Sequence, residues 1–113
     1  MNYVKKDKFI EELELKVNEP ILKEVEAILI DKLGYDINML KVKSNSQGYV
    51  YPRMIFSYLC RRKGLTTTLI GKVLNRDHST ISIYLNNFES YYKSDKIFKI
   101  LVDVIVKDVN NGK

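Results

Sequence analysis

Leu65-Thr66-Thr67-Thr68-Leu69-Ile70-Gly71-Lys72-Val73-Leu74-Asn75-Arg76-Asp77-His78-Ser79-Thr80-Ile81 is the stretch on which the reading of this chain turns. Thr66 can cap a short helix that runs to Leu74, with Leu69, Ile70 and Val73 facing inward. Gly71 within it reads as a point of close packing, because a glycine there otherwise costs about 1 kcal/mol against alanine. After a brief turn, a longer helix is predicted from His78 to about Tyr92, carrying Ile81, Tyr84, Leu85, Phe88 and Tyr91 or Tyr92 as its apolar stripe. Two helices joined this tightly are what a helix-turn-helix requires.

Opposite that stripe lie Ser79, Ser82, Ile83 and Asn86, with Asp77 and His78 at the helix start. Bulky residues on the inner side would anchor such a helix, while short side chains outside let its backbone approach base edges in a major groove about 12 Å wide. Asp77 can accept from a cytosine amino group, His78 can donate to a purine N7, and Ser79 can pair with several base edges. Asp77, His78 and Thr80 also have plainer readings. Asp77 suits an N-cap, Thr80 suits local capping, and His78 suits a solvated helix-terminal residue.

Working outward, Asn18 before Glu19 and Pro20 resembles a helix start, and Ile21, Val25, Ile28 and Leu29 recur at helical spacing until Gly34. A helix over 19–33 is expected, preceded by an extension over 1–18 whose Phe9, Ile10, Leu13 and Val17 also fit one helical face. Asp36-Ile37-Asn38-Met39-Leu40 suggests a short capped turn of helix. Ser44-Asn45-Ser46-Gln47-Gly48 reads as loop, and as the expected flexible element. From Pro52 a further helix carries Met54, Ile55, Tyr58 and Leu59 inward, with Arg53 at its start and Arg61, Arg62 and Lys63 before Gly64. Ser94-Asp95 is expected to cap a last helix in which Ile97, Leu101, Val104 and Ile105 share a core-closing face. The fold class is therefore all-α, a helical bundle with its main domain over 19–93 and a final helix over 94–113 packed on it.

Composition narrows the function. At 113 residues the chain fits one ordinary domain, and no uncharged apolar run approaches the roughly 18–20 residues of a membrane span. The N-terminus is charged and lacks an apolar core followed by a cleavage site, so a location in the cytoplasm or nucleoid is expected. The net charge of +5 is concentrated: residues 51–93 hold 7 Lys/Arg against 2 Asp/Glu, whereas residues 1–50 hold 8 against 9 and residues 94–113 hold 4 against 3. Concentrated positive charge favours a polyanion, because neutralised phosphates release condensed counterions.

Cys60 and His78 are single residues of their types, so neither an internal disulfide nor a Cys/His zinc cage can be assembled from one chain; no metal and no cofactor is expected. Cys60 reads as buried and inert, and the tyrosines read as core packing rather than as stacking platforms. No nucleophile–base pair or carboxylate dyad stands out, and the expectation is not an enzyme, with no small-molecule substrate and no membrane partner.

The elements Tyr51-Pro52-Arg53-Met54, Leu65-Thr66-Thr67-Thr68-Leu69-Ile70-Gly71 and Arg76-Asp77-His78-Ser79-Thr80-Ile81 together resemble the C-terminal DNA-binding domain of the bacterial replication initiator DnaA, domain IV. In that family an Ala-Arg-Pro-Arg-like entry, a Leu-Ser-Leu-Pro-Glu-Ile-Gly-like helix and a Gly-Arg-Asp-His-Thr-Thr-Val signature follow in this order on a Trp-repressor-like helical fold. The resemblance covers residues 19–92 and implies double-stranded DNA as partner. It implies that Arg53 enters a minor groove, that Asp77, His78 and Ser79 read a major groove, and that Lys72, Arg76 and Thr80 fix the phosphate backbone, with Thr67, Thr68, Ser82 and Asn86 also in the contact surface.

Ser79 stands where the family commonly has threonine, Thr68 replaces a proline, the turn before Arg76 is shorter, and the loop 44–48 lacks the basic residues usual there. These departures imply a different target sequence and weaker phosphate contact. The 113 residues contain no Gly-x-x-x-x-Gly-Lys-Ser/Thr phosphate loop, so the expectation is a stand-alone DNA-binding protein without an ATPase domain, acting in replication or transcription control. The alternative is a protein-interaction module that keeps the initiator fold with weak or no DNA affinity; a protein partner or a homodimer is compatible with either reading.

Overall fold

The computed structural model describes the backbone of residues 3–111 and the side chains of residues 8–107. Leu22, Val25 and Leu29 form the buried stripe of one long helix, α1 (Tyr3–Leu33). The helix start expected at Asn18 is thus corrected: α1 passes unbroken through Pro20, whose exposed ring sits on the solvent side, and Asn18 Nδ2 donates back to the Glu14 carbonyl instead of capping. A short helix, α2 (Ile37–Leu40), follows with Asp36 as its cap, accepting from the Met39 amide at 2.8 Å.

The next helix, α3 (Gln47–Arg62), begins earlier than Pro52 predicts, because Ser46 in extended geometry starts it and Gln47 and Gly48 lie inside it. Pro52 falls in its second turn. Nine residues of α3, from Tyr51 to Cys60, are buried, which makes it the central helix of the bundle. Burial pushes the Cys60 thiol up to about 12, so it stays protonated and unreactive near neutrality.

Two helices, α4 (Thr67–Leu74) and α5 (His78–Ser94), then pack on α3, and α6 (Lys96–Asn111) packs across α5 and α1. Among the described residues all regular structure is α-helical, and no helix is long and apolar enough to cross a membrane. An aromatic cluster joins α3 to α5 and α6. Tyr58 stacks on Phe88 with centroids 4.0 Å apart, and Phe98 meets both Phe88 and Tyr51 edge-on at 5.1 Å. Asp95 ties the same corner. Its Oδ1 caps α6 by accepting from the Phe98 amide at 2.9 Å, while its Oδ2 accepts from the Tyr51 hydroxyl at 2.6 Å. That bond, with burial, pushes Tyr51 up to about 12, and it holds the Asp95 carboxyl below the usual carboxylate range.

The stripe expected on α6 is rotated. Phe98, Val102 and Ile105 are buried, whereas Ile97 and Val104 are 61% and 43% exposed. Ile97, Leu101, Val104 and Ile105 do share helical spacing, but the buried side is set by Phe98, which Tyr51, Phe88 and Tyr91 surround.

The corner between α4 and α5 is tight and held by backbone. Thr66 caps α4 by accepting from the Leu69 amide at 3.1 Å, and Asn75 ends it in the left-handed conformation at φ 57°, a state that asparagine tolerates better than most residues. The Arg76 amide then donates to the Gly71 carbonyl at 2.8 Å. This chain reversal passes so close over α4 that a Cβ on Gly71 would meet the Arg76 carbonyl oxygen at 2.6 Å. Replacement of Gly71 by alanine therefore forces the turn apart. We expect Gly71→Ala to destabilise by about 1–3 kcal/mol in urea unfolding, despite the better helix propensity of alanine.

Candidate nucleic-acid interface

The turn delivers Asp77, His78 and Ser79 to one exposed corner. Asp77 is extended at φ −66° and ψ 146°, and its carbonyl accepts from the Thr80 amide at 3.0 Å, starting α5. The Asp77 side chain makes no bond to the helix amides. Its carboxylate instead sits 3.3 Å from His78 Nδ1 and accepts from the Ser79 hydroxyl at 3.1 Å. Carboxylate, imidazole and hydroxyl thus form one linked polar group, and the Asp77 and His78 side chains are 71% and 64% exposed. With Nδ1 directed at Asp77, His78 has Nε2 available to a ligand.

Along α5, Ile81, Tyr84 and Phe88 are buried against α3 and α4. Ser79, Ile83 and Asn86 are exposed on the far side, while Thr80 and Ser82 are half-buried at its margin. On α4, Thr68 and Lys72 are exposed and Thr67 is half-buried. Thr68, Lys72, Arg76, Asp77 and His78 line one open cleft of about 590 Å³ with Gly71, Asn75 and Glu11. Five of the eleven residues expected to touch DNA thus line one cleft.

Arg53 is not among them, and its expected entry into a minor groove is corrected. It is fully buried, with Nε on the Leu40 carbonyl at 2.6 Å, Nη1 on Ser44 at 2.8 Å and Nη2 on Val42. Its guanidinium clamps the loop between α2 and α3, and lies 5.9 Å from the Tyr49 ring centroid. Arg76 reaches the same loop from the other side. Its Nη2 donates to the Val42 carbonyl at 2.8 Å and its Nη1 to the Leu74 and Asn75 carbonyls at 3.1 and 3.2 Å. Arg76 is therefore partly engaged by the loop and its own turn, while remaining half-exposed on the open cleft.

Three side chains near this surface escaped sequence reasoning. Lys41 and Lys43 are exposed on the loop that the arginines clamp, just ahead of the 44–48 segment searched for basic residues. Glu11 arrives from α1 and forms an ion pair with Lys72, 61 positions away, a pairing that no local pattern signals. Among the described residues no group of His, Cys, Asp and Glu is arranged to hold a metal ion.

A model of the bacterial dnaA protein helix-turn-helix family matches residues 22–86, more than half of the chain. The chain belongs to the bacterial DnaA helix-turn-helix family. Within DnaA proteins it is similar to the chromosomal replication initiator protein DnaA of Lachnoclostridium phytofermentans, 42% identical over 69 residues, which cover 59% of this chain and 15% of that protein. Against DnaA 2 of Chlamydia caviae it is 50% identical over 40 residues, 34% of this chain and 9% of that protein. Against DnaA of Onion yellows phytoplasma it is 23% identical over 95 residues, 83% of this chain and 19% of that protein. The chain spans less than a fifth of the length of each of these DnaA relatives. No solved structure matches it.

The role of the buried Arg53 is separable from any contact with DNA. Arg53→Gln leaves the carbonyls of Leu40, Val42 and Ser44 without their charged donor and should cost roughly 3 kcal/mol of stability in chemical unfolding without any nucleic acid present. An Arg53 that served only to contact DNA would leave the unfolding midpoint unchanged.

Proposed function

We propose that this chain binds double-stranded DNA sequence-selectively through its α4–α5 helix-turn-helix, with α5 entering the major groove. The observation that carries this reading is the exposed Asp77–His78–Ser79 group at the start of α5, held on a turn too tight to shift. A recognition helix needs short polar side chains at its N-terminal end, where base edges are reached first. The Asp77 carboxylate orients the His78 ring, leaving Nε2 to donate to or accept from a base edge, and Ser79 adds a hydroxyl beside it. Ile83, 56% exposed further along the same face, offers an apolar surface to a thymine methyl.

Phosphate contacts flank the reading head. Lys72, Thr68 and Thr67 lie on the α4 side, with Thr80, Ser82 and Asn86 along α5. Lys41 and Lys43 approach on the clamped loop. Such contacts set register and supply salt-dependent affinity without reading sequence. With Arg53 and Arg76 engaged internally, the count of free cations at this face is small, and affinity depends more on base contacts than charge alone suggests. The occupied duplex site would act in replication or transcription control, performed by this module without catalysis of its own.

The reading separates two kinds of residue. His78→Ala should erase the preference between a selected duplex and a scrambled one while retaining nonspecific binding. Lys72→Ala should weaken both duplexes alike and lower the slope of log affinity against log salt by about one. Equal discrimination by wild type and His78→Ala in fluorescence anisotropy would contradict the placement of α5.

A further inference from the structure

The N-terminal half of α1 lies beside the proposed DNA face and is attached to the body by little. Before Leu22 no described residue of α1 is buried; Glu11, Leu15 and Asn18, spaced along one side, are half-buried, and Phe9, Ile10, Leu13 and Val17 are exposed. Pro20 has no amide hydrogen, so the carbonyl four residues earlier loses its helical donor where this arm joins the core. Over residues 3–19 the sequence of the arm is close to balanced, with Asp7, Glu11, Glu12, Glu14 and Glu19 against Lys5, Lys6, Lys8 and Lys16, and its carboxylates gather between Glu11 and Glu19.

From this arm Glu11 reaches Lys72 on α4 and closes one wall of the cleft that Asp77 and His78 also line. Its carboxylate holds the ammonium in the manner of a phosphate oxygen. A carboxylate and a phosphate brought to one ammonium repel each other, so the two compete for Lys72.

We propose that the N-terminal half of α1 is an intramolecular competitor for DNA, with Glu11 occupying the cation that a backbone phosphate takes when a duplex binds. This rests on the DNA-binding reading above and adds to it a latch that lowers affinity in the free chain. Binding breaks the Glu11–Lys72 pair and sets the arm aside; its apolar hold on the body is limited to Leu15 and Ile21, partly buried against the core, while Phe9, Ile10, Leu13 and Val17 stay exposed. Because the pair is solvent-exposed, its release changes affinity modestly, by about two- to fivefold, and salt screens the effect.

The test measures binding of a labelled random-sequence duplex to the full chain over a series of salt concentrations, using wild type, Glu11→Gln, Glu12→Gln, Lys72→Gln and the Glu11→Gln/Lys72→Gln pair. Glu12, exposed on the same helical turn, controls for the loss of one negative charge. The latch requires that Glu11→Gln bind about two- to fivefold tighter at low salt, that the gain shrink as salt rises, that Glu12→Gln show at most a small change, and that Lys72→Gln abolish the effect of Glu11→Gln. Equal binding by wild type and Glu11→Gln, alongside weakened Lys72→Gln, would overturn the latch and leave the DNA reading standing. A gain of the same size in Glu12→Gln, or one that persists in the Lys72→Gln background, would overturn it as general charge repulsion. Absence of duplex binding by every folded variant would remove the DNA reading and the latch together.

Discussion

The buried guanidinium of Arg53 is the constraint around which the other parts are placed. A permanently charged group inside a helical bundle is tolerable only where carbonyl oxygens replace its water, and here Leu40, Val42 and Ser44 do so. Those carbonyls belong to the end of α2 and the loop after it, so satisfying the charge fixes the path of that loop over α3. Arg76 then closes on the Val42 carbonyl from the helix-turn-helix side. One peptide oxygen thereby accepts from both arginines and couples the central helix, the loop and the α4–α5 turn into one unit. A recognition helix is useful only if its start is fixed relative to the groups that grip the backbone, and this coupling provides that fixity.

The same economy explains why the face carries fewer free cations than its sequence suggests. The excess of positive charge in residues 51–93 includes Arg53, which is buried, Arg76, which is folded back on carbonyls, and Lys72, which Glu11 holds. What remains outward is the linked Asp77, His78 and Ser79 group, with the loop lysines to one side. On the reading proposed above, such a module would discriminate by base edges rather than by bulk charge, and the arm that carries Glu11 would tune its affinity.

Much of this was legible before the structure, wherever a local rule acts on neighbouring residues. The Thr66 and Asp36 caps, the close approach at Gly71 and the inward stripe of α5 follow from short-range sterics and hydrogen bonding, and the family signature rests on the same residues. Readings failed where tertiary packing outweighs local preference. Pro20 looked like a helix start, yet the buried stripe from Leu22 onward keeps the helix running across it. On α6, Ile97 and Val104 had suitable spacing, but Phe98 chose the buried side because an aromatic pocket was waiting for it. Arg53 was legible as a functional-looking arginine and not as a buried one, since its carbonyl partners are turn residues that no motif encodes. Glu11 could not be found from sequence at all, as its partner lies in another helix.

The central claim is that a rigid turn presents Asp77, His78 and Ser79 to base edges. It is tested most directly by equilibrating the wild-type chain with a random-sequence duplex pool near physiological salt and sequencing what it retains. The account predicts enrichment of a single duplex motif. A folded protein that retains duplexes without enriching any sequence, or retains none, would contradict it and leave a helix-turn-helix whose exposed corner serves a different partner.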